Sequence, residues 1–158
     1  MFNRFLKEIA RKLLDRKLTI SVCESCTGGM LGAIITSLSG SSKYFSGGII
    51  AYSNRIKEKI VGVRPGTLRK FGAVSSETAL EMAKNVRKRL NSDIGISITG
   101  IAGPAGGTKK KPVGLVYIGL ASKKEGVFKK FLFKGNREAV RKKSCREALL
   151  LLRDFLEY

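Results

Sequence analysis

Two rhythms of apolar and polar residues run along the chain, and the switches between them mark its elements. Residues 2–16 bring Phe2, Phe5, Leu6, Ile9, Leu13 and Leu14 toward one side at helical spacing, which predicts an amphipathic helix. LTISVC (18–23) is a short, β-branched apolar run and predicts a buried strand. TGGMLGAIITSLSG opens on Thr and two glycines, then reads as an apolar helix ending near Gly40. YFSGGIIAYS (44–53) predicts a second strand, and NRIKEKIVG a short basic helix after it. PGTLRKFGAV reads as a turn-rich connection. Ser75 and Ser76 are N-cap candidates for a helix in SETALEMAKNVRKRL, with Glu77 favourable in its first turn. DIGISITG (93–100) predicts a third strand running into the loop GIAGPAGGTKKKP. PVGLVYIGLAS and GVFKKFLFKG predict a hairpin across KKEG, and Asn136 caps a closing helix in NREAVRKKSCREALLLLRDFLEY.

No internal repeat or linker interrupts this order, so residues 1–158 are expected to form a single domain. Helices alternating with strands, plus one late hairpin, predict the α/β class: a three-layer α/β/α sandwich with a mixed β-sheet. Ligands of such sheets gather beyond the carboxyl ends of the strands. ESCTGG, YSNRIK and TGIAGPAGG all fall there, and their convergence is an expectation.

Composition narrows the chemistry. The chain has no histidine, which excludes a Ser-His-Asp triad, a Cys-His pair and His-ligated metals. Acid–base work falls to Lys, Tyr, Asp, Glu or an activated cysteine. Three cysteines cannot all pair within the chain. Cys23 and Cys26 form a C-x-x-C with two readings: a redox pair, or a buried strand end and a residue packed near a turn. With no second such motif, no four-ligand zinc site is expected. No apolar run approaches the ~20 residues that cross a bilayer. The N-terminal helix lacks the apolar core and cleavage site of a signal peptide, so no membrane association and a cytoplasmic location are expected. Against 12 acidic residues stand 31 basic ones, a net charge of +19. Such a field attracts nucleic acid, anionic membranes and phosphorylated small molecules alike. The cations are scattered rather than gathered into one tail, and only 8% of residues are aromatic, so any nucleic-acid contact is expected to be non-specific.

Ser25, between a strand and a helix, sits where a turn can expose a nucleophile beside free N–H groups at the helix start. Thr27, Gly28 and Gly29 would let a substrate approach the backbone, or they simply cap and turn the chain. Without histidine, lysine is the natural activator of a serine, and Lys57 in YSNRIK lies in a cationic neighbourhood that lowers an amine pKa. Tyr52 could relay a proton or fill the core. TGIAGPAGGT lacks the GK[ST] ending of a phosphate-binding P-loop and the spacing of a dinucleotide fold. It remains either an anion cradle or a structural loop.

Taken in order, ESCTGG, the GSS at 40–42, AYSNRIK, GAVS, SITGIAGPAGGT, KPVG and GNREAVR resemble the CinA C-terminal domain family, from about residue 5 to residue 155. The resemblance implies one amidohydrolase domain that converts nicotinamide mononucleotide and water to nicotinate mononucleotide and ammonia. It implies no metal or organic cofactor, and a homodimer. Carried over by motif, it makes Ser25 the nucleophile, Lys57 its general base and Tyr52 a catalytic or positioning partner. Thr27, Gly28, Gly29, Ser42, Thr99 and Gly100 become substrate contacts. Arg137 becomes the basic group serving the substrate, ahead of Arg141. Many members of the family carry a further domain resembling molybdopterin-binding proteins; the 158 residues hold no match to it, and no pyrophosphatase expectation attaches. TKKKP stands where acidic residues are common in the family. Against the amidase stand a related amidase with another substrate and a basic nucleic-acid-binding or competence-associated accessory protein.

Overall fold

In the computed structural model, which describes residues 2–158, five strands form one sheet in the order β2-β1-β3-β4-β5. β1 (Ile20–Glu24) lies parallel to β2 (Phe45–Ile50) and to β3 (Ile94–Gly100). β4 (Leu115–Ala121) and β5 (Gly126–Leu132) complete the sheet as an antiparallel hairpin beside β3. Helices α1 (Asn3–Asp15), α2 (Met30–Thr36) and α6 (Arg137–Phe155) cover one face. The other carries α5 (Ser76–Arg89), with α4 (Pro65–Phe71) packed on it. The result is the expected three-layer α/β/α sandwich.

The two faces differ because period-two alternation sorts residues by size. In β3, Ile94, Ile96 and Ile98 point into the main core with Leu6, Ile9, Leu13, Val116 and Leu149. Gly95, Ser97 and Thr99 alternate with them and face α5. Small residues there let the helix approach the strands: a Cβ on Gly95 would sit 2.1 Å from the Ala83 carbonyl oxygen. Ser97 Oγ donates to the Ala79 carbonyl at 2.6 Å, so the close helix backbone is also hydrogen-bonded to the sheet.

Three local expectations change. PGTLRKF is helix α4 rather than a turn-rich connection. Pro65 occupies its first turn, where a preset φ favours a helix and the missing N–H costs nothing, and Gly72 (φ 80°) ends it. The helix after ESCTGG is shorter than expected at both ends. Gly28 (φ 56°) and Gly29 (φ 103°) are left-handed and delay its start to Met30. At the other end, the Thr36 and Ser37 hydroxyls bond back to the carbonyls of Gly32 and Ile34. The predicted basic helix divides into α3 (Asn54–Ile56) and a π-helical turn, Lys57–Val61. The caps stand as expected: Ser75 accepts from Thr78 N–H and Asn136 from Ala139 N–H. Among the described residues, no helix is long and apolar enough to cross a membrane.

Candidate active site

β1, β2 and β3 run in the same direction, so their following segments emerge at one edge of the sheet. There, a cleft of about 260 Å3 brings together Ser25, Tyr52, Lys57, Thr99, Gly100 and Arg137, along with Cys26, Asn54 and the backbone of residues 101–106.

Ser25 follows β1 directly, and its N–H donates to the Ile98 carbonyl, which holds the turn against β3. Lys57 begins the π-helical turn, and its side chain runs inward until it is 2% exposed. Its amino nitrogen lies 3.0 Å from Ser25 Oγ and 3.1 Å from the Tyr52 carbonyl oxygen. Burial lowers the Lys57 pKa from the ordinary amine value, while the neighbouring Cys23 and Cys26 act the other way. Among the described residues no carboxylate forms an ion pair with it. A buried amine without a counter-ion favours its neutral form, the form that can take a proton from a serine hydroxyl.

The Lys57 turn is fixed from behind. Arg89 Nε donates to the Val61 carbonyl at 3.0 Å, and Asn85 Nδ2 to that of Gly62 at 2.9 Å. On the far wall, Arg137 Nη1 donates to the Gly103 carbonyl at 2.8 Å and Nη2 to the Tyr52 hydroxyl at 3.1 Å. Tyr52 is 60% exposed, so its ring forms part of the cleft mouth rather than the core. Thr99 Oγ1 donates to the Ala73 carbonyl and ties the floor of the cleft to the segment ahead of α5.

Four expected contacts lie elsewhere. Ser42 is exposed in a 3-10 turn ahead of β2, at the opposite end of the sheet from Ser25; proximity of GSS to a strand does not specify which end of it. Thr27 is fully buried and its Oγ1 has no hydrogen-bond partner among the described residues. Gly28 lies against the Arg141 guanidinium and Gly29 against Ile50, both off the cleft wall. The N–H groups at the start of α2 do not face the cleft as free donors either. The buried Glu24 carboxylate takes those of Leu31 (2.8 Å) and Gly32 (3.0 Å). An acid ending an apolar strand was the signal for this cap, since a buried carboxylate needs donors.

Arg141 proves to be a turn clamp. Its guanidinium donates to the carbonyls of Cys26 (3.1 Å) and Thr27 (3.0 Å), while Arg137 alone of the two lines the cleft. Cys23, Cys26 and Cys145 are all free and buried. Burial pushes the Cys23 thiol up to about 12 and that of Cys26 to about 11, the opposite of a redox-active pair. The C-x-x-C is therefore a buried strand residue, Cys23, and a residue packed in the turn, Cys26.

Fold and cleft together define a class, a three-layer α/β protein with a buried serine–lysine pair at a strand-to-helix turn. More narrowly, the chain belongs to the CinA C-terminal domain family, whose sequence profile matches residues 3–156. A CinA-like protein of Endomicrobium trichonymphae is 55% identical over 152 residues, covering 96% of this chain and 36% of its own length. One from Thermosipho melanesiensis is 48% identical over 157 residues, covering 98% and 39%. The chain thus spans less than two-fifths of these relatives. Among solved structures, competence damage-inducible protein A of Klebsiella pneumoniae superposes with a TM-score of 0.95 at 31% identity, covering 98% of this chain and 96% of that one. A competence or damage-inducible protein of Enterobacter asburiae gives 0.93 at 35%, covering 96% of each.

Proposed function

We propose that residues 1–158 form a single amidohydrolase domain that converts nicotinamide mononucleotide and water to nicotinate mononucleotide and ammonia. The observation that carries this reading is the Lys57 amine, buried without a counter-ion and 3.0 Å from Ser25 Oγ. Membership of the family is consistent with an enzyme and with a small nucleotide as substrate.

In this mechanism Ser25 Oγ attacks the carboxamide carbon as its proton passes to Lys57 Nζ. The oxyanion accepts from the Cys26 N–H, the amide that follows the nucleophile. Lys57 then hands its proton to the amide nitrogen, the C–N bond breaks, and ammonia leaves an acyl-serine. Water attacks the acyl carbon, Lys57 takes its proton and returns it to Ser25, and the acid departs. Arg137 holds the substrate's 5′-phosphate from the cleft wall, and Tyr52, fixed through its hydroxyl by Arg137, positions the nucleotide at the mouth. No metal or organic cofactor has a role in these steps. The product belongs to pyridine-nucleotide recycling in the cytoplasm, and the family resemblance adds a homodimer, which sedimentation would test.

The deciding experiment measures ammonia release from nicotinamide mononucleotide without added metal, comparing wild type with Ser25→Ala and Lys57→Ala. Turnover that Ser25→Ala abolishes and Lys57→Ala lowers by roughly 10²–10⁴ is expected. No turnover by the wild type, or undiminished turnover by Ser25→Ala, defeats the proposal.

A further inference from the structure

A second cleft, of about 300 Å3, opens at the other end of the sheet, between α5 and the β4–β5 turn. Lys84, Arg87 and Lys88 line it from α5, where their spacing puts them on one helical face. Lys123 and Lys124 line it from the turn, with Glu125 as its single acid. Gly126 brings the two walls together: a Cβ there would stand 3.1 Å from Lys84 Cε and 3.3 Å from Leu80 Cδ2.

What separates these five from the general excess of cations is that they line one concavity with a single acid between them. Among the described residues none of the five cations in this cleft joins an ion pair, and Arg87 makes only a 3.4 Å contact with the Ser92 carbonyl. Packing does not explain them, since Lys84, Lys88, Lys123 and Lys124 are exposed. Concentrating like charges in a concavity destabilises the empty fold and strengthens the field for an anion. Ser122 Oγ accepts from the N–H groups of Lys124 and Glu125, which leaves its own O–H proton for an acceptor in the cleft.

The geometry points to a second anion site here that takes an oligophosphate chain, either inorganic or the tail of a nucleoside triphosphate. Five cations against one carboxylate match the several charges of a triphosphate better than the two of a single phosphate. A concave cleft with cations on two facing walls suits a compact chain better than a long polymer, which needs an extended groove. The site is remote from Ser25, so its occupancy is independent of substrate.

Calorimetric titration at physiological salt tests this, with tripolyphosphate, ATP and AMP as probes. One tripolyphosphate per chain is expected, unaffected by excess nicotinamide mononucleotide. AMP should bind at least ten-fold more weakly than ATP. Arg87→Ala/Lys124→Ala should weaken tripolyphosphate binding at least ten-fold. Lys7→Ala/Arg11→Ala, which removes equal charge from α1 on the other face, should change it less than two-fold. Thermal midpoints close to wild type will show that both variants fold. ATP binding tighter than tripolyphosphate assigns the site to nucleotides, and the reverse order to inorganic chains. Equal weakening by the two variants would reduce the effect to net charge and overturn the site. So would displacement by the mononucleotide, AMP binding as tightly as ATP, or single-stranded DNA outcompeting tripolyphosphate through the same residues.

Discussion

Replacing Lys57 by arginine separates the base from the charge. Arginine keeps a cation near Ser25 but holds its proton under all working conditions, so it cannot serve as base. Lys57→Ala removes both roles and avoids the bulk of a guanidinium. An amine with an ordinary pKa of 10.5 would be neutral in only about one molecule in 3,000 at pH 7. Burial raises that fraction by lowering the pKa, and the 3.0 Å contact places the amine on the hydroxyl that it deprotonates in the proposed mechanism. Loss of a general base costs roughly 10²–10⁴ in rate. That corresponds to about 3–5 kcal/mol of barrier. Both variants should show a fall of this size in kcat/KM for ammonia release. In the wild type, log kcat/KM should climb with pH until Lys57 is neutral and level off below 10.5, a limb that Lys57→Ala should lack. Stability should follow the same sign. Between the lowered native pKa and 10.5 the unfolded chain binds more protons, so wild-type stability rises with pH through that window, and below it the cost of charging a buried amine is carried in full. Lys57→Arg keeping more than a tenth of wild-type activity would refute the assignment of Lys57 as base.

Three further outcomes follow from the surroundings of the pair. Arg141→Ala frees the Cys26 and Thr27 carbonyls from their clamp and should lower kcat about ten-fold with a smaller change in KM, as expected when a turn is misplaced by a fraction of an ångström. Glu24→Ala strands two N–H groups that now bond to a carboxylate, and should cost about 3–5 kcal/mol in urea unfolding. With a thiol pKa of about 11, only about one Cys26 in a thousand is thiolate at pH 8. Iodoacetamide should therefore spare all three cysteines of the folded protein and label them in urea, as read by intact mass; rapid closure of a Cys23–Cys26 bridge under mild oxidant would contradict this.

The layers of the fold were legible because its strands announce themselves by period. I-G-I-S-I-T-G in β3 carries both the apolar alternation and the small residues on which α5 rests. Helix α4 was hidden because Pro65, Gly66 and Gly72 carry the same signature in a turn as at the ends of a short helix, and only packing on α5 selects the helix. Ser25 and Lys57 were legible as candidates, 32 residues apart along the chain, but their contact depends on the parallel register of β1 and β2, in which Glu24 pairs with Ile50. That register carries the segments after both strands to the same edge. Ser42 was misplaced for a related reason: it precedes β2, and a parallel neighbour sends the preceding segment to the far edge.

The larger change concerns where negative charge can be accommodated. A strand–turn–helix segment with glycines invites the idea that the helix start binds the anion, yet here Glu24 occupies that position from inside the protein. The carboxylate is held by the strand that delivers Ser25, so cap and proposed nucleophile are adjacent in sequence and fixed by one element. With the start of α2 taken by Glu24, oxyanion stabilisation in the proposed mechanism falls to the turn itself, whose carbonyls Arg141 draws outward. Drawing the Cys26 and Thr27 carbonyls toward α6 fixes the two peptide groups that follow Cys26 and so holds the turn behind Ser25. Two opposite influences thus meet at Ser25: an amine whose charge burial opposes, and a turn held by a cation bound on its far side.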